Sequence, residues 1–237
     1  MKRIALLLVL LLAEGVWAWE FGWHVGVDKF PVLQLVQRGL DLNQELGIEF
    51  EGPQFGFVGG IEATRPWREF QLSVSLTRLN HGENSVYWRG KAGLLDVEYQ
   101  GSGSFPAWLA TVGLSYPLRE QDGWKFDLHS GLSLVYTNCW IYREGFYEIA
   151  GEEFLTITQG AAKGWGLGSQ SALSCSRKFG QWRFAVEAGY RLAHARARGS
   201  YFTTDKNEGS TTSQQRPLTL EVDYDGPYLE LKFCYEP

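Results

Sequence analysis

The chain is poorly equipped for metal, redox or nucleic-acid chemistry. Its 237 residues hold three cysteines (Cys139, Cys175, Cys234) and four histidines. No C-x-x-C or H-x-x-x-H spacing occurs among them, so no metal site and no cofactor is called for. The glycine-rich "GWGLG" at 164–168 lies inside an alternating run and is not a phosphate loop. Lys and Arg total 22 against 27 Asp and Glu, a net charge of −5, and that mild acidity argues against nucleic acid. After the first 18 residues no apolar run approaches the roughly 20 residues of a membrane-spanning helix. No solenoid repeat is present either. Cys139 and Cys175 fall near opposite ends of consecutive predicted strands, well beyond the ~7 Å Cα separation a bridge tolerates, so no structural disulfide is expected.

The first residues do carry a signal. "MKRIALLLVLLLAEGVWA" sets Lys2 and Arg3 before an apolar run and ends on Val16-Trp17-Ala18. This is the layout of a secretory signal peptide over 1–18, with a small-x-small cleavage site. It leaves a single domain, 19–237, large enough to bury a core. Removing Lys2, Arg3 and Glu14 takes the net charge from −5 to −6.

What fills that domain is alternation. "WKFDLHSGLSLVYTNCW" (124–140) puts Trp124, Phe126, Leu128, Leu132, Leu134, Tyr136 and Trp140 on one parity. Lys125, Asp127, His129, Ser133 and Thr137 take the other. Period two means a strand with one apolar and one polar face. Seven more runs read the same way: "WEFGWHVGV", "QFGFVGGIEAT", "REFQLSVSLT", "PAWLATVGLSYPL", "GWGLGSQSALSCS", "QWRFAVEAGYRL" and "PYLELKFCY". "RPWR", "REQDG" and "KFG" join neighbours at hairpin length. The other connections, roughly 28–52, 81–104, 141–163 and 198–226, are expected to be long loops. Within them "PVLQLVQRGLDLNQEL" (31–46) and "SVYWRGKAGLLDVEY" (85–99) suit strand extensions or a short helix, and pairing within the bilayer would make ten strands.

The polar parity decides which face is wet. A surface in bulk water is dense in charge, whereas here Gly, Ser, Thr and Ala dominate, as the crowded inside of a narrow barrel requires. The apolar parity carries Trp108, Tyr116, Trp124, Phe126, Tyr136, Trp140, Trp165 and Trp182 near strand ends, as two aromatic girdles. Ten residues from Phe126 to Tyr136 run ~34 Å; tilted ~40°, they cover about 26 Å of membrane normal, close to the apolar band of about 25 Å. The interior then gathers Glu20, Glu62, Glu69, Lys125, Asp127, Arg183, Glu187, Arg191, Glu230 and Lys232, with His24 and His129. Charges removed from water must pair, so a salt-bridge plug is expected, with a gated ion path as the alternative.

In this pattern the chain resembles the eight-stranded outer-membrane barrels of the OmpA and OmpX type, barrel only, without a peptidoglycan-binding domain. "GPYLELKFCY" looks like that family's C-terminal assembly signal, although Glu236 and Pro237 follow the aromatic Tyr235. The resemblance implies an all-β, closed, antiparallel eight-stranded transmembrane barrel with short periplasmic turns and long extracellular loops. It implies residence in the outer membrane, and as partners membrane lipid and lipopolysaccharide, the barrel-assembly machinery and an extracellular ligand. The expected protein is a monomer with a structural or adhesive role, porin-like in pattern.

No catalytic residues are expected. Lipid A deacylases of this size use a His-x-Ser pair, but adjacent His129 and Ser130 point to opposite faces. His194-Ala195-Arg196 lacks the nucleophile, and His81-Gly82-Glu83 with Ser85 has no frame. Asp223 and Asp225 near His194 are the faint candidates for a rim protease. Arg196 and Arg198 are candidates for contact with lipopolysaccharide phosphate. A lipid-modifying enzyme is thus a minor alternative for function. A soluble lipocalin-like barrel, with its apolar face inward, is the alternative for the fold.

Overall fold

The computed structural model describes residues 19–29, 55–80, 83–92, 95–149, 152–207 and 209–236. The predicted signal peptide (1–18) and the stretch 31–46 lie outside the described residues. Every regular element among those described is a β-strand. In order they are β1 (Glu20–Lys29), β2 (Phe55–Trp67), β3 (Phe70–Asn80), β4 (Glu83–Ala92), β5 (Leu95–Ser104) and β6 (Ala107–Gln121). β7 (Trp124–Ile149), β8 (Glu152–Phe179), β9 (Trp182–Asn207), β10 (Ser210–Asp223) and β11 (Gly226–Tyr235) follow.

All pairings are antiparallel, and a hydrogen-bond ring passes through eight strands: β1, β2, β3, β6, β7, β8, β9, β11 and back to β1. The remaining three continue ring strands beyond an interruption. Along β9, Arg191 faces Gly226 of β11 and His194 faces Asp223 of β10, so β10 and β11 are halves of one long strand broken at Tyr224-Asp225. Along β7, Trp140 faces Ser104 of β5 and Thr137 faces Ala107 of β6, with Phe105-Pro106 between. β4 on β5 likewise prolongs β3 on β6.

Above the ring the prolonged strands make one six-stranded sheet, β4-β5-β7-β8-β9-β10. This corrects the expectation of long loops at 81–104, 141–163 and 198–226. The register set in the ring carries on upward, and the side chains there are strand formers: Tyr147 stacks on Phe154 at 5.1 Å, and Thr158 meets Thr203 at 3.3 Å. The described residues of 85–99 are strand rather than helix, in β4 and β5, and they add nothing to the eight strands of the ring.

At the other end the turns are tight. Asp122 and Gly123 both have positive φ (53° and 77°), the demand of a type I′ hairpin, and Asp-Gly meets it. Arg68 (φ 58°) opens the β2–β3 turn and Gly180 (φ 63°) the β8–β9 turn. The alternation read from 124–140 becomes burial: Asp127, His129, Ser133 and Thr137 are buried, while Trp124, Phe126, Leu128, Leu132 and Leu134 are exposed. The lipocalin-like alternative, apolar face inward, is not the arrangement found.

The Asp-Gly turn gives a direct test of strain. Gly123→Val is expected to cost about 1–2 kcal/mol, the usual penalty of a side chain in the left-handed region. Gly145→Ala, whose new methyl group meets nothing within 4 Å, should change stability by no more than about 0.5 kcal/mol. Urea unfolding of the detergent-refolded chain, followed by tryptophan fluorescence, measures both.

Candidate functional site

The inner face of the strands near the tight turns carries the charge. Lys232 Nζ on β11 lies 2.8 Å from Glu187 Oε2 on β9 and 3.2 Å from Glu62 Oε2 on β2. Arg191 on β9 donates to Asp28 of β1 at 2.5 Å and to Glu230 of β11 at 3.3 Å. Its guanidinium lies over the Tyr228 ring at 4.6 Å, and the Tyr228 hydroxyl donates to Glu187 at 3.0 Å. Nearer the turns Arg183 pairs with Glu20 and, at 3.4 Å, with Glu236. Across the ring Lys125 meets Asp127 at 3.1 Å.

Nine of the ten charged residues assigned to the interior by parity stand in these pairs. Glu69 does not. Arg68 and Glu69 form the β2–β3 turn, so the strand restarts at Phe70 and Glu69 is exposed at the turn. Asp28 was missed, although it is the next residue of the His24, Gly26 parity and the strand continues to Lys29. Tyr228 and Gln170 were missed too, because an uncharged polar side chain carries no sign of the partner it serves; Glu236 was missed because it follows the end of the last strand at Tyr235.

The two interior histidines rest on glycines. A Cβ at Gly60 would come 2.6 Å from His24 Nε2, and one at Gly113 would come 2.6 Å from His129 Cε1. His24 Nε2 lies 3.1 Å from Thr77 Oγ1. His129 Nδ1 lies 3.0 Å from Ser115 Oγ, a pair that no spacing revealed because it is cross-strand. Its Nε2 faces the Gln170 amide at 3.4 Å, where a catalytic triad would place a carboxylate. The cavity beside it, lined by Ser115, Asp127, His129, Glu187 and Lys232, measures ≈ 40 Å³. That is room for about three or four waters, on the usual measure of about 10–15 Å³ each. Ser130, as expected, points the other way, outward.

Beyond this charged tier the inner face turns apolar. Val58, Leu79, Leu109, Val135, Leu220 and Val222 pack with Phe105 and Tyr224 in one buried cluster. Tyr224 lies at the β10–β11 interruption and its hydroxyl meets Thr137 Oγ1 at 2.5 Å and the Phe105 carbonyl at 3.1 Å. β11 and β6 are four strands apart in either direction around the ring, so this side chain bridges its full width. The interruptions in two long strands therefore meet face to face, as a septum.

The outer face is a belt with marked rims. Trp108, Tyr116, Trp124, Phe126, Trp140, Trp165 and Trp182 are exposed and Tyr136 is half-buried. Arginine lies on tryptophan at both ends: Arg177 over Trp124 at 5.3 Å and Arg68 over Trp67 at 5.6 Å by the turns, Arg78 over Trp108 at 5.6 Å at the opposite end. Arg196 and Arg198 are exposed on β9 beside Trp165 and Lys163 of β8. His194 does pair with Asp223, but on this outer surface, while Asp225 accepts from the Ala193 amide at 2.6 Å. On the sheet above, Tyr142 donates to Glu144 at 2.7 Å, and that bond, then burial, pushes its pKa up. His81 lies outside the described residues. The three cysteines are free thiols, two buried and Cys175 half-buried.

The chain matches no family model and no curated protein. Among solved structures it is similar to Neisserial surface protein A (NspA), at 14% identity with 92% of this chain and 96% of that one covered and a TM-score of 0.38. It is similar also to a major outer membrane protein from Thermus thermophilus, at 9% identity over 92% and 98% of the two chains and a TM-score of 0.41. LpxR from Salmonella typhimurium follows at 8% identity, 91% and 100% coverage and a TM-score of 0.22.

The charged tier predicts a lopsided mutational response. Lys232→Met leaves Glu62 and Glu187 without their cation and is expected to cost about 3–5 kcal/mol. Adding Glu62→Gln and Glu187→Gln should recover most of it. Lys178→Met, whose lysine is exposed and whose partner Glu236 keeps Arg183, should cost only about 0–1 kcal/mol. The same urea titration reads all three; equal costs at Lys232 and Lys178 would mean that the inner network is fully hydrated.

Proposed function

We propose that the chain is an outer-membrane β-barrel protein of the small eight-stranded type, an exported monomer whose ring crosses the membrane. Its tight turns would face the periplasm and its tall sheet the exterior, where it supports the envelope or presents a surface for adhesion. The observation that carries this reading is the inversion of inside and outside. Phe57, Leu132 and Leu167 are 76%, 73% and 75% exposed, whereas Arg191, Glu187 and Glu230 are 1%, 2% and 4% exposed. In water such a belt would be a large unburied apolar surface; in hydrocarbon it is solvated, and the charges inside keep each other company. A ring of strands also leaves no backbone edge unpaired in lipid. Arginine-on-tryptophan pairs at both rims suit the two headgroup layers.

The role is structural rather than catalytic or conductive. The Ser115–His129 pair has no carboxylate at its far nitrogen and no room for an acyl chain. The apolar septum held by Tyr224 lies across any path for ions, which weighs against the narrow-pore alternative.

Refolded in detergent, the protein should migrate faster on a denaturing gel before boiling than after. In vesicles of brominated lipid its tryptophan fluorescence should be strongly quenched, and planar bilayers containing it should stay electrically silent. Full solubility in plain buffer with no boiling-dependent shift would overturn the membrane reading. Stable unitary conductance would overturn only the sealed interior.

A further inference from the structure

Two rows of the outer face, just beyond the apolar belt, concentrate positive charge. Trp165 of β8 pairs with Arg196 of β9, and in the next outward row Lys163 pairs with Arg198. On β10 the same rows end in Glu221 and Thr219, so three cations stand against one carboxylate. Trp165 itself and, in the rows below, Leu167 and Leu192 are more than half exposed, with the His194–Asp223 pair beside Leu167. Farther out along the same face Trp140 and Phe202 are exposed again, at 41% and 52%, and Tyr142 is half-buried. Tyr142 and Phe202 are both opposite Gln159, two rows beyond the cations.

Three tiers therefore follow one another along β7, β8 and β9: apolar, cationic, aromatic. Successive outward rows are ~7 Å apart along a strand. An ordinary phospholipid, with acyl chains under a phosphate, accounts for the first two tiers and leaves the third against water. Broad aromatic faces beyond a phosphate layer fit the apolar faces of sugar rings, since these side chains combine an apolar body with a polar tip. Arg is suited to phosphate through its planar, many-donor fork.

We infer that this face of β7, β8 and β9 binds a phosphorylated glycolipid of the surrounding leaflet. Lys163, Arg196 and Arg198 hold its phosphate, Leu167 and Leu192 lie along its acyl chains, and Trp140 and Phe202 pack on its sugars. The inference rests on the membrane reading above.

The test uses the full chain refolded in detergent and titrated with lipopolysaccharide, phosphatase-treated lipopolysaccharide, phosphatidylglycerol or inorganic phosphate, with adducts counted by native mass spectrometry. Intact lipopolysaccharide should bind best. The Lys163→Gln, Arg196→Gln, Arg198→Gln triple variant should bind it roughly a hundredfold more weakly, at the usual worth of a cation beside an anionic lipid surface. If the triple variant does not fold, Arg198→Gln alone carries the test, with a loss of about fivefold. Trp140→Ser with Phe202→Ser should abolish the preference for lipopolysaccharide over phosphatidylglycerol while leaving the latter's binding intact. Undiminished binding by the cation variants, equal binding of phosphatidylglycerol to the unaltered chain, or full competition by inorganic phosphate would each overturn the proposal. A chain that shows the boiling shift but binds no glycolipid defeats this inference alone; one that shows no shift and needs no detergent defeats the membrane reading beneath it.

Discussion

A lysine and an arginine taken out of water hold together the seam where the chain's two ends meet. β1 and β11 pair across most of the sequence, with Val25 opposite Leu231, and such a long-range contact has the greatest loop-closure cost in the molecule. The buried charges sit at that seam. Arg191 reaches Asp28 on β1 and Glu230 on β11, and Lys232 on β11 reaches Glu62 on β2. A slip of β1 by one residue would turn Asp28 and His24 outward and take from Arg191 one of its two carboxylates. The pairs therefore choose the register more than they add stability, because their desolvation cost offsets much of their attraction.

The interior is organised in height by the same economy. Near the turns the inner parity is charged or small, and two histidines fit only because Gly60 and Gly113 present no Cβ. Farther along, the chain abandons regular pairing at Phe105-Pro106 and Tyr224-Asp225, and the freed side chains fill the space. A backbone break inside a buried ring has polar groups to satisfy. The Tyr224 hydroxyl takes up the Phe105 carbonyl, the Tyr224 amide donates to the Ala193 carbonyl at 2.7 Å, and the Asn138 amide donates to the Pro106 carbonyl at 3.3 Å. Above the septum the strands are free to leave the ring and continue as a sheet.

On the outer face arginines and tryptophans mark two levels, and the cations of β8 and β9 thicken the upper one on one arc. That arc is also the base of the tall sheet. An asymmetric scaffold presents different chemistry around its circumference, which an evenly capped ring would not.

Alternation by itself determined the eight strands, the inward and outward parity of nine interior charges, the aromatic belt and three tight turns. Each of these depends on neighbours within a few residues, where the pleat and turn chemistry leave little choice. Glu69 went astray for the same local reason: a left-handed Arg68 ended the strand one residue before its parity could apply. Only the tertiary structure decided that the described parts of three of the long connections are strand, that Ser115 faces His129, that Asp28 holds Arg191, and that Tyr224 crosses the ring to Phe105. Those contacts join residues 14 to 163 positions apart, and their partners are selected by register between strands, a quantity that no single strand's pattern contains.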